Sequence, residues 1–173
     1  MAAPGNLTLS RHRELDGRAW HPWVRRGLLT LLAAIPVLAL LNVFGQHPTT
    51  SATGAGAASM SVYAPARIRS GDVFEARVRI AARRAIDKPS LVLESGWFEQ
   101  TTLNAVVPEP TNESSNGGSV SLEYDRLAAG DEMTVWVHLQ VNPTNVGSHD
   151  ATIRLADGDR TLLTVPRTLT VFP

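Results

Sequence analysis

The chain has no cysteine. That excludes disulfide staples, a thiolate zinc site, a nucleophilic thiol and a lipid-modified cysteine. A domain lacking them has to be held by its apolar core, and roughly 110 residues suffice for one. Lysine is nearly missing too: Lys88 stands alone beside fifteen arginines, a usage common in high-GC bacterial genomes. Charge is absent altogether between Arg26 and Arg67. Either side of that gap the balance is opposed. Residues 1–26 carry five arginines against Glu14 and Asp16, a net +3, and residues 60–173 carry eleven basic against fourteen acidic groups, a net −3. A nucleic-acid binder needs a basic domain, and no basic domain is present.

What fills the gap is greasy. Residues 27–44 read GLLTLLAAIPVLALLNVF. Eighteen residues at about 1.5 Å each cover roughly 27 Å, close to the ~30 Å hydrocarbon thickness of a bilayer. Taking the helix back over residues 24–44 lets Arg25 and Arg26 snorkel while Trp20 and Trp23 sit at the interface. Pro36 is tolerated in such a span. The basic flank comes first, so the positive-inside rule puts residues 1–23 in the cytoplasm as a basic tail and the remainder outside. The competing reading is a cleaved signal, with Val43 and Gly45 at the −3 and −1 positions before Gln46. The leading segment and the apolar run are both long for that.

Residues 45–59, GQHPTTSATGAGAAS, are small and polar without periodicity, and read as a flexible tether. From Met60 onward a period of two takes over. Phe74, Ala76, Val78 and Ile80 alternate with Glu75, Arg77 and Arg79; Val120, Leu122 and Tyr124 follow suit. The clearest run is Met133, Val135, Val137, Leu139 and Val141. Such alternation marks strands covered on one side. Turn residues separate the runs at Gly71, Pro89, Gly117-Gly118, Gly130, Pro143 and Gly158, and VPEPTNESSNGG reads as a long loop. Seven or eight strands over residues 60–173 predict an all-β, immunoglobulin-like β-sandwich.

The stretch RLAAGDEMTVWVHLQVNPTNVGSHDATIRLADGD resembles the second half of bacterial envelope immunoglobulin-like domains, with a Gly-acidic turn, an alternating strand, a Gly turn and a strand ending in Asp-Gly. The whole layout resembles small single-pass envelope proteins of high-GC Gram-positive bacteria. That resemblance implies a location and a fold, and it transfers no catalytic residue.

Ser148-His149-Asp150 is no catalytic triad, because neighbouring residues of an extended segment point to opposite sides. It reads as a turn entering a strand. No Gly-x-Ser-x-Gly elbow, His-Glu-x-x-His or P-loop occurs, so no catalytic, cofactor-binding or metal-ligating residue is assigned. Asp157-Gly158-Asp159 is accounted for as a hairpin turn.

The residues that invite a partner are aromatic and basic. If Val135 and Val137 face the core, Trp136 and His138 face outward, either under a covering segment or as a contact surface. Of Trp97 and Phe98, one ring is expected in the core and the other at a sheet edge. Arg77 and Arg79 share an outward face, where cross-strand carboxylates are the simplest partners. The sequence thus predicts a non-catalytic accessory domain, anchored in the lipid bilayer through residues 24–44 and docking on another membrane or envelope protein. A second reading is a binder of wall carbohydrate or anionic polymer, using Trp97, Phe98 and the arginines.

Overall fold

The run with the clearest alternation forms β9 (Glu132–Val141), an interior strand of a five-stranded antiparallel sheet, paired with a neighbour on each side. That sheet has the order β1-β2-β4-β9-β6, with β1 at Pro48–Ala55, β2 at Ala58–Pro65, β4 at Val73–Ala82 and β6 at Thr101–Val107. A second five-stranded sheet runs β12-β11-β5-β8-β7, from β5 (Pro89–Leu93), β7 (Asn112–Asn116), β8 (Ser119–Glu123), β11 (Ile153–Asp157) and β12 (Arg160–Val165). In a smaller third sheet, β13 (Thr168–Phe172) lies between β10 (Gly147–Asp150) and a parallel neighbour, β3 (Arg67–Arg69). The computed structural model describes residues 20–43 and 45–173.

The chain divides into two units, Met1–Val43 and Phe44–Pro173. The second is an immunoglobulin-like β-sandwich. Its inward positions are the ones the alternation selects: Phe74, Ala76, Val78 and Ile80 from β4, Val135, Val137, Leu139 and Val141 from β9, and Val120 and Leu122 from β8 are all buried in one cluster. Residues at every second position of a strand share a face, so each sheet offers one apolar side to the other. The turns fall where glycine was expected. Gly117 and Gly118 both hold positive φ in the β7–β8 hairpin, as does Gly158 between β11 and β12, a conformation that costs glycine little.

Two expectations need correction. The segment 45–59 is not a flexible tether: residues 48–55 form β1, paired with β2 along its whole length from Pro48↔Pro65 to Ala55↔Ala58. The fold begins earlier still, since Gln46 donates from Nε2 to the Val73 carbonyl and His47 pairs with Ala66 and Arg67. Likewise VPEPTNESSNGG is not a loop throughout, because Asn112–Asn116 forms β7 against β8. Both are edge strands. All five residues of β7 are exposed, so there is no apolar face for a sequence pattern to report. Together with the short β3 and β10 they raise the strand count to thirteen among the described residues, above the seven or eight expected.

β1 is polar inward for a different reason. Arg167, between β12 and β13, is 8% exposed. Its Nη1 donates to Ser51 Oγ at 2.7 Å and to the carbonyls of Val62 at 3.3 Å and Thr49 at 3.4 Å. Its Nη2 donates to the Ala64 carbonyl at 2.8 Å and to Thr49 Oγ1 at 3.0 Å. Burial pulls the guanidinium's pKa below its ordinary value, and the five acceptors stand in for the water it has lost.

Among the described residues of the first unit there is one helix, α1 (His21–Leu40), long and apolar enough to cross a membrane, with mean hydropathy 1.6. At about 1.5 Å per residue its twenty residues span roughly 30 Å. None of them is buried. Pro22 occupies the first turn, where its missing N–H is harmless, and Pro36 lies inside. The helix stops at Leu40 rather than 44: Leu41 caps it and Asn42 turns left-handed at φ 56°. Arg26 reaches over the Trp23 ring, 5.4 Å from its centroid. Most of the basic tail, residues 1–19, and position 44 lie outside the described residues.

Two stability predictions follow from buried polar groups. Arg167→Ala strands the carbonyls of Val62 and Ala64 and should cost about 3 kcal/mol in denaturant unfolding, against within about 0.5 kcal/mol for the exposed Arg160→Ala. Tyr124 is the second case. Its hydroxyl is buried and has no hydrogen-bond partner among the described residues, and burial, helped by the charge of Glu113, pushes its pKa up to about 12. The unfolded chain therefore loses this proton near pH 10 while the folded chain keeps it. Stability from this residue is whole below pH 10 and declines as pH rises toward 12, by at most about 2–3 kcal/mol. Tyr124→Phe should flatten that part of the pH–stability curve and change stability at neutral pH by less than about 1 kcal/mol.

Candidate functional site

The outward side of the β1-β2-β4-β9-β6 sheet carries the candidate surface. Strand register sets its composition. Thr50 on β1 lies opposite Tyr63 on β2, Tyr63 opposite Arg77 on β4, Arg77 opposite Trp136 on β9, and Trp136 opposite Val107 on β6. One row thus crosses all five strands. Within it the Arg77 guanidinium carbon stands 5.0 Å from the Tyr63 ring centroid, a cation–π contact. Tyr63 is 38% and Val107 50% exposed, and Trp136 and Arg77 are half-buried.

The adjacent row runs from Ala52 through the polar side chains of Ser61, Arg79 and Thr134. Between the two rows lies an open groove of about 200 Å³, lined by Thr50, Ser61, Tyr63, Arg77 and Arg79. On the other side of the aromatic row His138 Nε2 lies 3.9 Å from Glu75 Oε2, a loose pair with both side chains well exposed. Exposed pairs of this kind contribute little to stability.

Four of the six predicted surface residues therefore come together: Trp136, His138, Arg77 and Arg79 share this face. The expectation that the arginines pair with carboxylates across the strands is overturned. Register gives Arg77 two aromatic neighbours and Arg79 two hydroxyl neighbours, and neither forms an ion pair among the described residues.

Trp97 does not belong to the surface. It is 1% exposed and stacks on Phe74, with ring centroids 6.3 Å apart. The 3₁₀ turn Ser95–Trp97 brings it inward because Gly96 lies directly on the backbone of Asp150. Phe98 is half-buried and packs on the same core. Neither ring offers an open stacking platform.

Two contributors were not anticipated. Tyr63 was legible, because Met60, Val62 and Ala64 fix the inward positions of β2 and leave Tyr63 on the opposite face. Val107, last in β6 before Pro108, gives no such signal.

A second recess of about 300 Å³ is lined by Glu99, Gln100, Asn145, Val146 and His149. His149 Nδ1 lies 2.9 Å from Glu99 Oε2, and the buried Asn145 amide donates to the carbonyls of Glu99 and Gln100. Gln100 holds φ at 49°, a strained value for a residue with a side chain. Ser148 and Asp150 take no part, since the Asp150 carboxylate is engaged by Thr152, whose side chain and backbone N–H together hold its pKa below the ordinary value. Asp157 similarly accepts from the Lys88 N–H, fastening the β11–β12 hairpin. Among the described residues no three His, Asp or Glu side chains gather as metal ligands would.

No family model matches the sequence, and no curated protein aligns with it. Solved structures similar to the chain include a non-cellulosomal cohesin from the hyperthermophilic archaeon Archaeoglobus fulgidus, at 17% identity and a TM-score of 0.40, over 61% of this chain and 84% of that one. CaCohA2 from Clostridium acetobutylicum matches at 13% identity and a TM-score of 0.42, over 60% and 83%. A GH20 exo-β-N-acetylglucosaminidase from Vibrio harveyi, in complex with N-acetylglucosamine, matches at 12% and 0.33, over 73% of this chain but 18% of the enzyme. The sandwich assignment rests on the strand pairing of this chain itself.

The inward placement of Trp97 makes a specific demand. A Cβ at position 96 would stand 2.3 Å from the Asp150 carbonyl oxygen and 2.6 Å from its nitrogen, both backbone atoms that cannot swing aside. Gly96→Ala should destabilise the sandwich by about 3 kcal/mol, seen as a lower denaturation midpoint, whereas Gly130→Ala meets no neighbour and strains only its own φ.

Proposed function

We propose that this chain is a non-catalytic, membrane-anchored interaction module whose β-sandwich docks on another envelope protein. The observation that carries the reading is the row Tyr63–Arg77–Trp136–Val107, an aromatic and arginine surface left open on the flat side of a sheet. Tyr, Trp and Arg are the residue types that concentrate binding energy at protein interfaces. No nucleophile, general base and orienting group converge on this face, so binding is the chemistry it offers.

In this reading α1 stays in the bilayer, the basic residues before it face the cytoplasm, and the sandwich works outside. The uncovered apolar length of α1 and the basic residues on its leading side support that orientation. The wall-polymer alternative loses its stacking platform, because Trp97 is inside the core.

A photo-crosslinking residue at position 136, in the full chain in native membranes, should give a discrete protein adduct, and the same residue at position 160 should not. Absence of an adduct at 136 removes the docking reading. Protease added to intact cells should digest the sandwich. If it is spared, or is recovered in the medium beginning at Gln46, the anchored orientation is wrong.

A further inference from the structure

The uncovered arginines also say what chemistry the partner brings. Arg77 and Arg79 project from the outer face of β4, and the guanidinium of Arg83, just beyond the strand, lies over Gly54 of β1, where an added Cβ would be 3.5 Å from Nη2. The three line one side of a domain whose residues 60–173 are net −3, so the stripe is a local feature and not the reflection of a basic protein. Two carboxylates share the face without pairing with the stripe: Glu75, one same-side position before Arg77, is loosely paired with His138, and Glu132 lies opposite Ala81, one such position beyond Arg79. None of the three arginines makes an ion pair among the described residues.

We infer that the groove between Tyr63, Arg77 and Arg79 receives an extended acidic segment of a partner protein, with carboxylates at alternate positions. This deepens the docking reading and rests on it. Guanidinium groups are forks suited to carboxylates. Arg77 and Arg79 are two residues apart on a strand, about 7 Å, which is also the repeat of same-side residues in any extended chain. A partner strand lying along β4 therefore meets both arginines with residues i and i+2. Thr50 and Ser61 add hydroxyl-bearing side chains to the groove lining, and Tyr63 and Trp136 flank Arg77 with apolar surface. Those rings favour a peptide over a phosphate polymer, which has no apolar side groups to cover them.

The test uses the full chain in nanodiscs of uncharged lipid. The probe is a fluorescein-labelled decapeptide of alternating Glu and Thr. Its comparison is a longer peptide with the same number of Glu at every third position. The alternating peptide should bind several-fold more tightly than the other. Binding should fall about tenfold or more in the double variant R77Q/R79Q, which keeps the unfolding midpoint of the parent chain. Equal binding by the variant, equal binding of the two peptides, or stronger competition by inorganic polyphosphate than by the unlabelled alternating peptide would each overturn the inference. The position-136 crosslink separates the two levels. An adduct whose yield is unchanged in R77Q/R79Q leaves docking in place and removes the acidic segment, whereas no adduct in either chain removes both.

Discussion

A single buried cation ties the end of the sandwich to its first two strands. Arg167 sits at the junction of β12 and β13, yet all its side-chain hydrogen bonds go to β1 and β2, more than a hundred residues earlier. Among the described residues no carboxylate balances it; carbonyl and hydroxyl oxygens do. Removing such a charge from water is unfavourable unless its N–H groups find acceptors, so the inward side of β1 has to be polar. Thr49 and Ser51 meet that requirement. The same pair of residues makes the segment look like a linker to any reading that searches for apolar alternation.

The contrast between β9 and β1 shows where sequence patterns inform and where they do not. In β4, β8 and β9 the alternation reports one buried face directly, and the inward residues it selects are the core. An edge strand such as β7 is held through its backbone to β8 and buries nothing, so its NESSN is indistinguishable from a loop. In β1 no residue is fully buried, and the complement of its half-buried side is a guanidinium supplied from the far end of the sandwich. Long-range polar complementarity of that kind has no local period.

The candidate surface divides in the same way. That Trp136, His138, Arg77 and Arg79 point outward was readable strand by strand. What each would face was not, because cross-strand neighbours depend on register, and register is set by the assembled sheet. A shift of two residues between β2 and β4 would replace Tyr63 by Ser61 opposite Arg77, leaving its outward direction intact and its chemistry altered. Trp97 illustrates the complementary limit. Gly96-Trp97-Phe98 announces two rings, and only the approach of Gly96 to the Asp150 backbone determines which of them turns inward.

The open arginine row is intelligible as a compromise between folding and recognition. The Arg77 guanidinium has the Tyr63 ring against one side of it while its N–H groups make no ion pair among the described residues. A carboxylate neighbour would have occupied those groups and, in an exposed setting, returned well under 1 kcal/mol of stability. The aromatic neighbour holds the side chain extended across the sheet without satisfying its hydrogen-bonding groups. Less side-chain freedom is then lost when an acceptor arrives, so more of the contact energy appears as affinity. The hydroxyl neighbours of Arg79 act similarly, being too weak as acceptors to displace water or compete with a carboxylate. On this account the face is stable alone because nothing charged is buried there, and receptive for the same reason.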